Sequence, residues 1–352
     1  MPNQSNNPET RDERGSSSCT FAIITRGAAD MGRPKLPTDP ELFGAEFEAL
    51  GATKMAVKYD VSVRNVFQKR KKVEGILGRA LHVPAYLSRS KTPRKSFRQT
   101  LNIEKDMVFM IGSDCHYEAN TVTTAHLSFV ELAKKLQPDV IVLNGDLMDG
   151  ASIGRHAPLG WEERPTVEQE LGVISMRLAE IEKAAPNAQR FWTMGNHDQR
   201  FDMSLAQNAA MFKGVPGFSL KDHFPSWTFC MSLWVDGAEK PIMIKHRFNG
   251  GIHAGYNNAL KSGVHICTGH THVMQVNSWS DYTSHRYGVQ CGTMADIHQS
   301  SFDYAEDNPR PWVSGYVVLT VRDNFLLTPE LVKVHNPGEY EWRGEIHKVD
   351  LE

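Results

Sequence analysis

From residue 114 onward, five short polar clusters contain the residue types that bind metal ions. They are Asp114-Cys115-His116, Asn144-Gly145-Asp146-Leu147-Met148-Asp149, Gly195-Asn196-His197-Asp198, His246 and Gly269-His270-Thr271-His272. Imidazole nitrogens together with carboxylate and amide oxygens suit Mn²⁺, Fe or Zn²⁺, and the set lacks the thiolates of a structural zinc site. A carboxylate that bridges two such ions holds them about 3.5–4 Å apart, the spacing that clamps a phosphate during in-line attack.

Each cluster follows a short apolar run that we interpret as a strand. The runs cover residues 107–111, 140–143, 191–193, 242–244 and 265–267. Helical periodicity lies between the first two runs, with Leu127, Val130 and Leu132 among its apolar positions, and again over residues 167–185. This alternation is typical of an α/β sheet covered by helices. Because ligands collect at the carboxyl ends of strands in such folds, we expect the five clusters to converge on one crevice.

The local spacing of the clusters suggests how they present their side chains. In D-x-H and H-x-H, alternate side chains of an extended segment point the same way and can reach one metal. Cys115 then points away from Asp114 and His116, and we interpret it as a packing residue. The glycines at positions 145, 195 and 269 are expected to permit tight turns.

The ordered set D-x-H, G-D-x-x-D, G-N-H-D, H and G-H-x-H resembles the metallo-dependent, calcineurin-like phosphoesterases over roughly residues 106–322. The resemblance implies a β-sandwich flanked by helices and a centre of two divalent ions, for which we favour Mn²⁺ over Fe or Zn²⁺. It assigns seven side chains to the ions: Asp114, His116 and His272 to the first, Asn196, His246 and His270 to the second, and Asp146 to both.

The same resemblance implies roles for three more residues. His197 would stabilise the transition state or protonate the leaving oxygen. Asp198 would orient the His197 ring, and Asp149 would support a metal-binding side chain. His253 lies seven residues after His246 and is the alternative to it, but His246 follows its strand directly.

Three residues just beyond the metal motifs are candidates for binding the substrate phosphate. They are Arg155, His156 and Arg200. Arginine can form paired hydrogen bonds to phosphate oxygens. An ordinary surface charge explains each of the three equally well, so the sequence leaves both interpretations open.

Residues 31–78 show the periodicity of a small all-α module that resembles a helix-turn-helix. Thr38 or Asp39 can cap a first helix that buries Leu42, Phe43, Phe47 and Leu50 and ends at Gly51. A second short helix runs to Tyr59, and Ser62 can cap a third from Val63 to about Ile76. Asp60 stands where the turn glycine of that motif is usual. The third helix carries the candidate DNA contacts Arg64, Lys69, Arg70, Lys71 and Lys72, although a solvated basic helix with a structural role is the alternative.

The remaining segments complete the predicted domain organisation. Residues 1–30 are expected to form a disordered tail, and translation could start at Met1 or at Met31. Residues 79–105 are predicted to be a basic linker, residues 106–335 the phosphoesterase domain and residues 336–352 a C-terminal tail. The whole arrangement resembles phage or prophage DNA-processing proteins.

Bulk composition narrows the class of protein. The chain has 352 residues, a net charge of -2 and five scattered cysteines. An odd number of cysteines without a C-x-x-C pair argues against a disulfide scaffold and favours a reducing compartment. No apolar run approaches the roughly 20 residues that span a bilayer, and the N-terminus has no signal-peptide pattern. We therefore expect no membrane association and a cytoplasmic location, in the bacterial host if the gene is phage-derived.

Three functions are compatible with this sequence. The first is a two-metal phosphodiesterase or nuclease acting on DNA, favoured by the basic helix and linker, whose Lys and Arg can contact the phosphate backbone. The second is a phosphomonoesterase or nucleotidase for small substrates. The third is a DNA-binding regulator with an inactive phosphoesterase domain, which the complete ligand set argues against.

Overall fold

The computed structural model describes residues 35–82, 97–103, 106–119, 121–155, 160–161 and 163–351. The predicted tail at 1–30, the Met31 start, most of the basic linker (83–96) and His156 lie outside the described residues. The chain divides into two compact units, Met1–Arg94 and Lys95–Glu352, which we call the N-terminal and C-terminal units. Within the described residues, no helix is long and apolar enough to cross a membrane.

Two helices, α1 (Pro40–Lys58) and α2 (Val63–Leu77), form the described core of the N-terminal unit. Asp39 caps α1 by accepting a hydrogen bond from the Leu42 amide, and Ser62 caps α2 in the same way. Gly51 interrupts α1 with φ 72°, so the predicted break at this glycine is present. The turn before α2 contains Asp60 at φ 49°, in the left-handed region that usually favours glycine.

The apolar residues of α1 and α2 pack into one small core that includes Phe43, Phe47, Met55 and Val66. Leu42 was predicted to share this core, but 56% of its surface is exposed. The buried face is set by the pair Phe43 and Phe47, four residues apart, and Leu42 lies about 100° around the helix from Phe43.

The C-terminal unit contains five helices and fifteen strands within its described residues. The helices are α3 (Thr124–Leu136), α4 (Val167–Ala184), α5 (Asp198–Asn208), α6 (Leu220–His223) and α7 (Ala254–Ser262). The strands are β1 (Arg98–Asn102), β2 (Met107–Gly112), β3 (Val140–Leu143), β4 (Gln189–Thr193), β5 (Thr228–Cys230), β6 (Ser232–Asp236), β7 (Ile242–Ile244), β8 (His265–Thr268), β9 (Met274–Ser280), β10 (His285–Cys291), β11 (Gly315–Arg322), β12 (Phe325–Leu326), β13 (Glu330–Asn336), β14 (Glu339–Trp342) and β15 (Glu345–Lys348).

The strands form two sheets. One has the order β1-β6-β7-β8-β10-β9, and the other has the order β15-β14-β13-β11-β2-β3-β4-β5, with β12 paired to β11. A core of apolar side chains from both sheets, including Phe109, Val142, Ile244 and Val317, lies between them. The second sheet packs its outer face on α3 and α4, and α7 packs on the first sheet. The predicted fold, a β-sandwich flanked by helices, is confirmed.

Two predicted segment boundaries are wrong. Arg98–Asn102 fall inside the predicted linker but form β1, which pairs with β6, and the Arg98 guanidinium lies 3.9 Å from the centre of the Trp234 ring. The predicted C-terminal tail forms the hairpin β14–β15, whose Tyr340 and Trp342 are buried. Both segments are polar and short, so their strand character depends on partners distant in sequence.

Candidate metal centre

Five strands deliver the predicted ligands to one place. Asp114 and His116 follow β2, Asp146 and Asp149 follow β3, and Asn196 and His197 follow β4, which are adjacent in one sheet. His246 follows β7, and His270 and His272 follow β8, its neighbour in the other sheet. β2, β3 and β4 run parallel to one another, as do β7 and β8. The predicted ligands therefore meet where the carboxyl ends of both sheets come together.

The predicted ligands form two groups of donor atoms. Asp114, His116 and His272 each present a donor atom within 4.8 Å of the others, and so do Asp146, His246 and His270. His246 Nε2 connects the groups, since it lies 3.0 Å from Asp146 Oδ2 and 3.9 Å from Asp114 Oδ1. His253, the alternative to His246, is exposed at the start of α7.

The donor atoms in this cluster fit divalent ions. His116 Nε2, Asn196 Oδ1 and His272 Nδ1 are buried and have no hydrogen-bond partner among the described residues. Leaving a buried polar atom without a partner costs free energy, so these three atoms are suited to binding a cation. Divalent metal held by the predicted side chains would satisfy these atoms, polarise phosphoryl oxygens and lower the pKa of bound water.

The charges of the buried groups also favour cations here. Burial opposes ionisation of Asp146, but the nearby His246 outweighs it and holds the pKa of that carboxyl below its usual range. Burial lowers the pKa of His246, but Asp114 and Asp146 outweigh it and raise the pKa to about 9. The centre therefore stabilises positive charge between two buried carboxylates.

The backbone of the centre is strained at five of the seven predicted ligands. Asp114, His116, Asp146, His270 and His272 have φ values of 52°, 38°, 54°, 72° and 57°. The prediction that D-x-H and H-x-H are extended segments is therefore wrong, because the side chains converge through left-handed turns. Each such residue costs about 1–3 kcal/mol, and strain of this kind concentrates at functional sites. Cys115 packs on Met294, with its Sγ 3.9 Å from the Met294 Sδ, as expected for a packing residue.

Hydrogen bonds between the turns fix these ligands. The amide of Asp114 donates to the Gly145 carbonyl at 2.8 Å, and the amide of His116 donates to the Asp146 carbonyl at 3.0 Å. His246 Nδ1 lies 2.7 Å from the Asn144 carbonyl, which leaves Nε2 facing the carboxylates. Sequence reasoning assigned no role to Asn144, although its place directly before Gly145-Asp146 is a usable signal.

Close approach, rather than a turn, explains the glycine at position 195. Gly145 has φ 83° and needs glycine for its backbone, whereas Gly195 has no positive φ. A Cβ on Gly195 would collide with the carboxylate and the backbone nitrogen of Asp146. The predicted turn role is thus wrong for Gly195, which keeps the space that Asp146 occupies.

Gly195→Ala is expected to lower metal affinity and turnover by at least about tenfold. The added Cβ would displace the Asp146 carboxylate from the position in which it is predicted to bind metal. Metal content after desalting and turnover of a chromogenic diester measure the effect. Gly172→Ala is the matched control, since Gly172 lies exposed on α4 and an added Cβ meets nothing within 4 Å. Wild-type metal affinity in Gly195→Ala would contradict the assignment.

Asp198 does not orient His197, contrary to the prediction. Its carboxylate is fully buried and accepts hydrogen bonds from the amides of Asp146 at 2.9 Å and Gly195 at 2.8 Å. It also accepts from the amide of Leu147 and from Trp192 Nε1, both at 3.0 Å. Asp198 therefore holds the turn that carries Asp146.

Asp149 contacts both histidines that line this side of the centre. Its Oδ1 lies 3.1 Å from His116 Nδ1 and 3.0 Å from His197 Nδ1, and its carbonyl lies 2.8 Å from His197 Nδ1. Burial opposes ionisation of Asp149, but hydrogen bonds from His116 and His197 hold its pKa well below the usual range. Burial lowers the pKa of His197, but Asp149 and Asp146 outweigh it and raise that pKa. Asp149 thus orients His197 and leaves its Nε2 directed away from the carboxylate.

The three candidate substrate contacts, Arg155, His156 and Arg200, differ in where they lie. Arg200 donates to the Asp149 carbonyl at 2.8 Å, and its second guanidinium nitrogen lies 3.4 Å from His197 Nε2. Arg155 is exposed, and His156 lies outside the described residues. Of the three, Arg200 is the one that the structure places beside His197.

Glu170 is a residue that sequence reasoning missed. It lies on α4 and is 2% exposed. Its Oε2 accepts a hydrogen bond at 2.8 Å from the amide of Gly150, the residue that follows Asp149. Burial raises its pKa to about 7, the Gly150 hydrogen bond opposes this, and Asp149 adds to the increase. A charged residue on an otherwise apolar helix face was the available signal.

The family comparison agrees with this geometry. Residues 107–274 match the model of the calcineurin-like phosphoesterase family. These residues form a calcineurin-like phosphoesterase domain. Since the domain carries every motif residue and gathers them in one centre, the chain is a metal-dependent phosphoester hydrolase.

Solved structures that are similar to this chain share little sequence with it. Zinc-bound wild-type Vps29 from Entamoeba histolytica is 13% identical, with a TM-score of 0.37 over 70% of this chain and 100% of that chain. An archaeal phosphodiesterase is 14% identical, with a TM-score of 0.32, and the match covers 65% of this chain and 100% of that chain. The E. coli phosphoesterase Yfce is 16% identical, with a TM-score of 0.33, and the match covers 63% of this chain and 98% of that chain. No curated protein matches the chain.

Proposed function

We propose that this enzyme hydrolyses phosphodiester bonds in DNA, using two divalent ions, with Mn²⁺ as the first choice of metal. The observation that carries the proposal is the pair of neighbouring donor groups, which His246 Nε2 connects by lying 3.9 Å from Asp114 Oδ1, an arrangement that suits two adjacent ions. The chain's own residues then bind and orient the phosphate beside these ions. Arg200 supplies a guanidinium next to His197, and Asp149 fixes the His197 ring so that Nε2 can hold or deliver a proton.

The case for DNA depends on the cations of α2. Arg64, Lys71 and Lys72 are exposed and form no ion pair with any described residue. Lys69 and Arg70 are engaged within the unit, since Lys69 donates to the Leu36 carbonyl at 3.3 Å and Arg70 pairs with Glu74 at 2.8 Å. The proposal therefore narrows from five predicted contacts to three.

The turn before α2 supports a helix-turn-helix interpretation of this unit. A helical segment ends near Tyr59, Asp60 adopts the left-handed conformation, and Ser62 starts the next helix. That succession places an exposed basic helix after a tight turn. Three phosphate contacts of this kind raise the local concentration of DNA without requiring a particular sequence.

Replacement of Arg64, Lys71 and Lys72 by Gln is expected to weaken DNA binding by the full chain and flatten its salt dependence. The slope of log K against log[salt] should fall by about 0.9 for each phosphate contact removed. Gel-shift titrations at several salt concentrations measure both quantities. The control removes the same charge from exposed lysines of the other unit by changing Lys134, Lys183 and Lys221 to Gln.

A turnover panel with Mn²⁺ distinguishes the substrate classes. It compares bis-p-nitrophenyl phosphate, p-nitrophenyl phosphate, cyclic nucleotides, and single- and double-stranded DNA. Removal of residues 1–94 preserves β1 and should reduce activity on DNA far more than activity on the small diester. Preference for the monoester, with no DNA binding at low salt, would favour a nucleotidase instead.

A further inference from the structure

A segment beyond the family match is attached to the metal centre at both ends. It runs from Gly292 to Trp312, whereas the matched residues stop at 274. Near its start, the Thr293 hydroxyl donates to the Asp114 carbonyl at 2.6 Å. Directly after its last residue, the Val313 amide donates to the His272 carbonyl at 3.0 Å. This segment, which we call the 292–312 loop, therefore has a fixed position beside the first group of ligands.

Aromatic side chains of the 292–312 loop pack directly on metal-binding imidazoles. The Phe302 ring lies 5.2 Å from both His116 and His272, measured between ring centres. The Trp312 ring lies 4.6 Å from His272 and 5.1 Å from Phe302. Trp312 is partly exposed, so it extends the wall of the metal centre outward.

Arg310 stacks on the Trp312 ring and keeps N–H donors that are not used in hydrogen bonds. Its guanidinium carbon lies 4.6 Å from the centre of the Trp312 ring. One terminal nitrogen donates to the Glu306 carbonyl at 3.1 Å, while the other is buried and has no partner among the described residues. A guanidinium carries five N–H donors, so Arg310 keeps donors beyond the one that the Glu306 carbonyl accepts.

A pocket of about 250 Å³ opens next to this stacked pair. It is lined by Ile297, His298, Glu306, Asp307, Asn308, Arg310 and Trp312. Two carboxylates in the lining would repel a second phosphate, although they can accept hydrogen bonds from amino groups. A planar ligand that both donates and accepts hydrogen bonds, and that stacks on arginine and aromatic planes, fits the lining better than an anion.

We propose that this pocket is a nucleobase subsite, which binds the base next to the phosphate held at the metal centre. The inference rests on the proposed DNA diesterase function and adds a specific contact to it. The base stacks against the Arg310–Trp312 pair, and a remaining N–H of the Arg310 guanidinium donates to a ring carbonyl. Asn308 Oδ1 accepts from an exocyclic amino group, since the Asn308 amide nitrogen already donates to the Ala305 carbonyl at 3.1 Å. Cytosine, with one carbonyl and one amino group, is the simplest base with this pattern.

The test separates the base from the rest of the nucleotide. Calorimetric titrations of the full chain loaded with Mn²⁺ compare dCMP with 2-deoxyribose 5-phosphate, which has the same sugar and phosphate without a base. Both ligands are monoesters, whereas the proposed activity is on diesters. Wild type should bind dCMP about tenfold tighter, a typical effect of one stacked base. Arg310→Gln and Asn308→Ala should each reduce that ratio severalfold.

Arg343→Gln is the matched control, because Arg343 is also stacked on a tryptophan, 4.3 Å from the centre of the Trp342 ring, on the β14–β15 hairpin. It should leave the ratio unchanged. Undetectable dCMP binding, a ratio near one in wild type, or an unchanged ratio in both subsite variants would overturn the proposal. Turnover of bis-p-nitrophenyl phosphate, which carries no base, reports separately on the diesterase function.

Discussion

Asp146→Asn is expected to abolish metal loading and activity together. Asp146 lies in the second group of donors, 3.0 Å from His246 Nε2, and it is the side chain assigned to both ions. An amide keeps the size of the side chain but removes the charge that balances two cations. We expect turnover of bis-p-nitrophenyl phosphate to fall by about 10³-fold or more, corresponding to a loss of roughly 4 kcal/mol.

The measurement pairs elemental analysis with kinetics. Wild type loaded with Mn²⁺ and desalted should retain about two ions per chain, and Asp146→Asn should retain fewer than one. Asp106→Asn is the control, since Asp106 is an exposed carboxylate that begins the same domain and pairs with Arg322. If wild type held no metal after loading, the central interpretation would be wrong.

His197→Gln is expected to lower kcat strongly while metal content stays near that of wild type. Its Nδ1 is held by Asp149, so we expect its Nε2 to act on the phosphoryl group or the leaving oxygen and not on an ion. Loss of a positioned general acid lowers kcat by about 10²–10⁴-fold. Single-turnover kinetics and elemental analysis on the same preparation measure the two properties independently.

A control and a companion variant sharpen this test. His223→Gln alters an exposed histidine that bonds to the Gly217 carbonyl, and it should behave as wild type. Asp149→Asn should lower both kcat and metal affinity, because Asp149 contacts His197 and the predicted ligand His116. If His197→Gln lost metal in proportion to activity, His197 would be a ligand and the role assigned here would be wrong.

The sequence alone determined the type of centre and its main residues. The clusters D-x-H, G-D-x-x-D, G-N-H-D and G-H-x-H each follow an apolar strand, and strand ends converge by the general geometry of α/β folds. Capping residues such as Asp39 and Ser62 located the helices of the N-terminal unit, because a cap is a local interaction between residues three apart. Information of this local kind is present in the order of residues.

Only the tertiary structure decided which side chain supports which. Asp149 and Asp198 are both carboxylates near His197 in sequence, yet Asp149 reaches the His197 ring across a gap of 48 residues while Asp198 turns to the amides before it. The strands β1 and β15 could not be predicted from the sequence for the same reason. Polar edge segments become strands through pairing with partner strands. The contact of Trp312 with His272 likewise arises from the packing of a loop with no motif of its own. Contacts between distant segments depend on the packed fold, and no local pattern of residues encodes them.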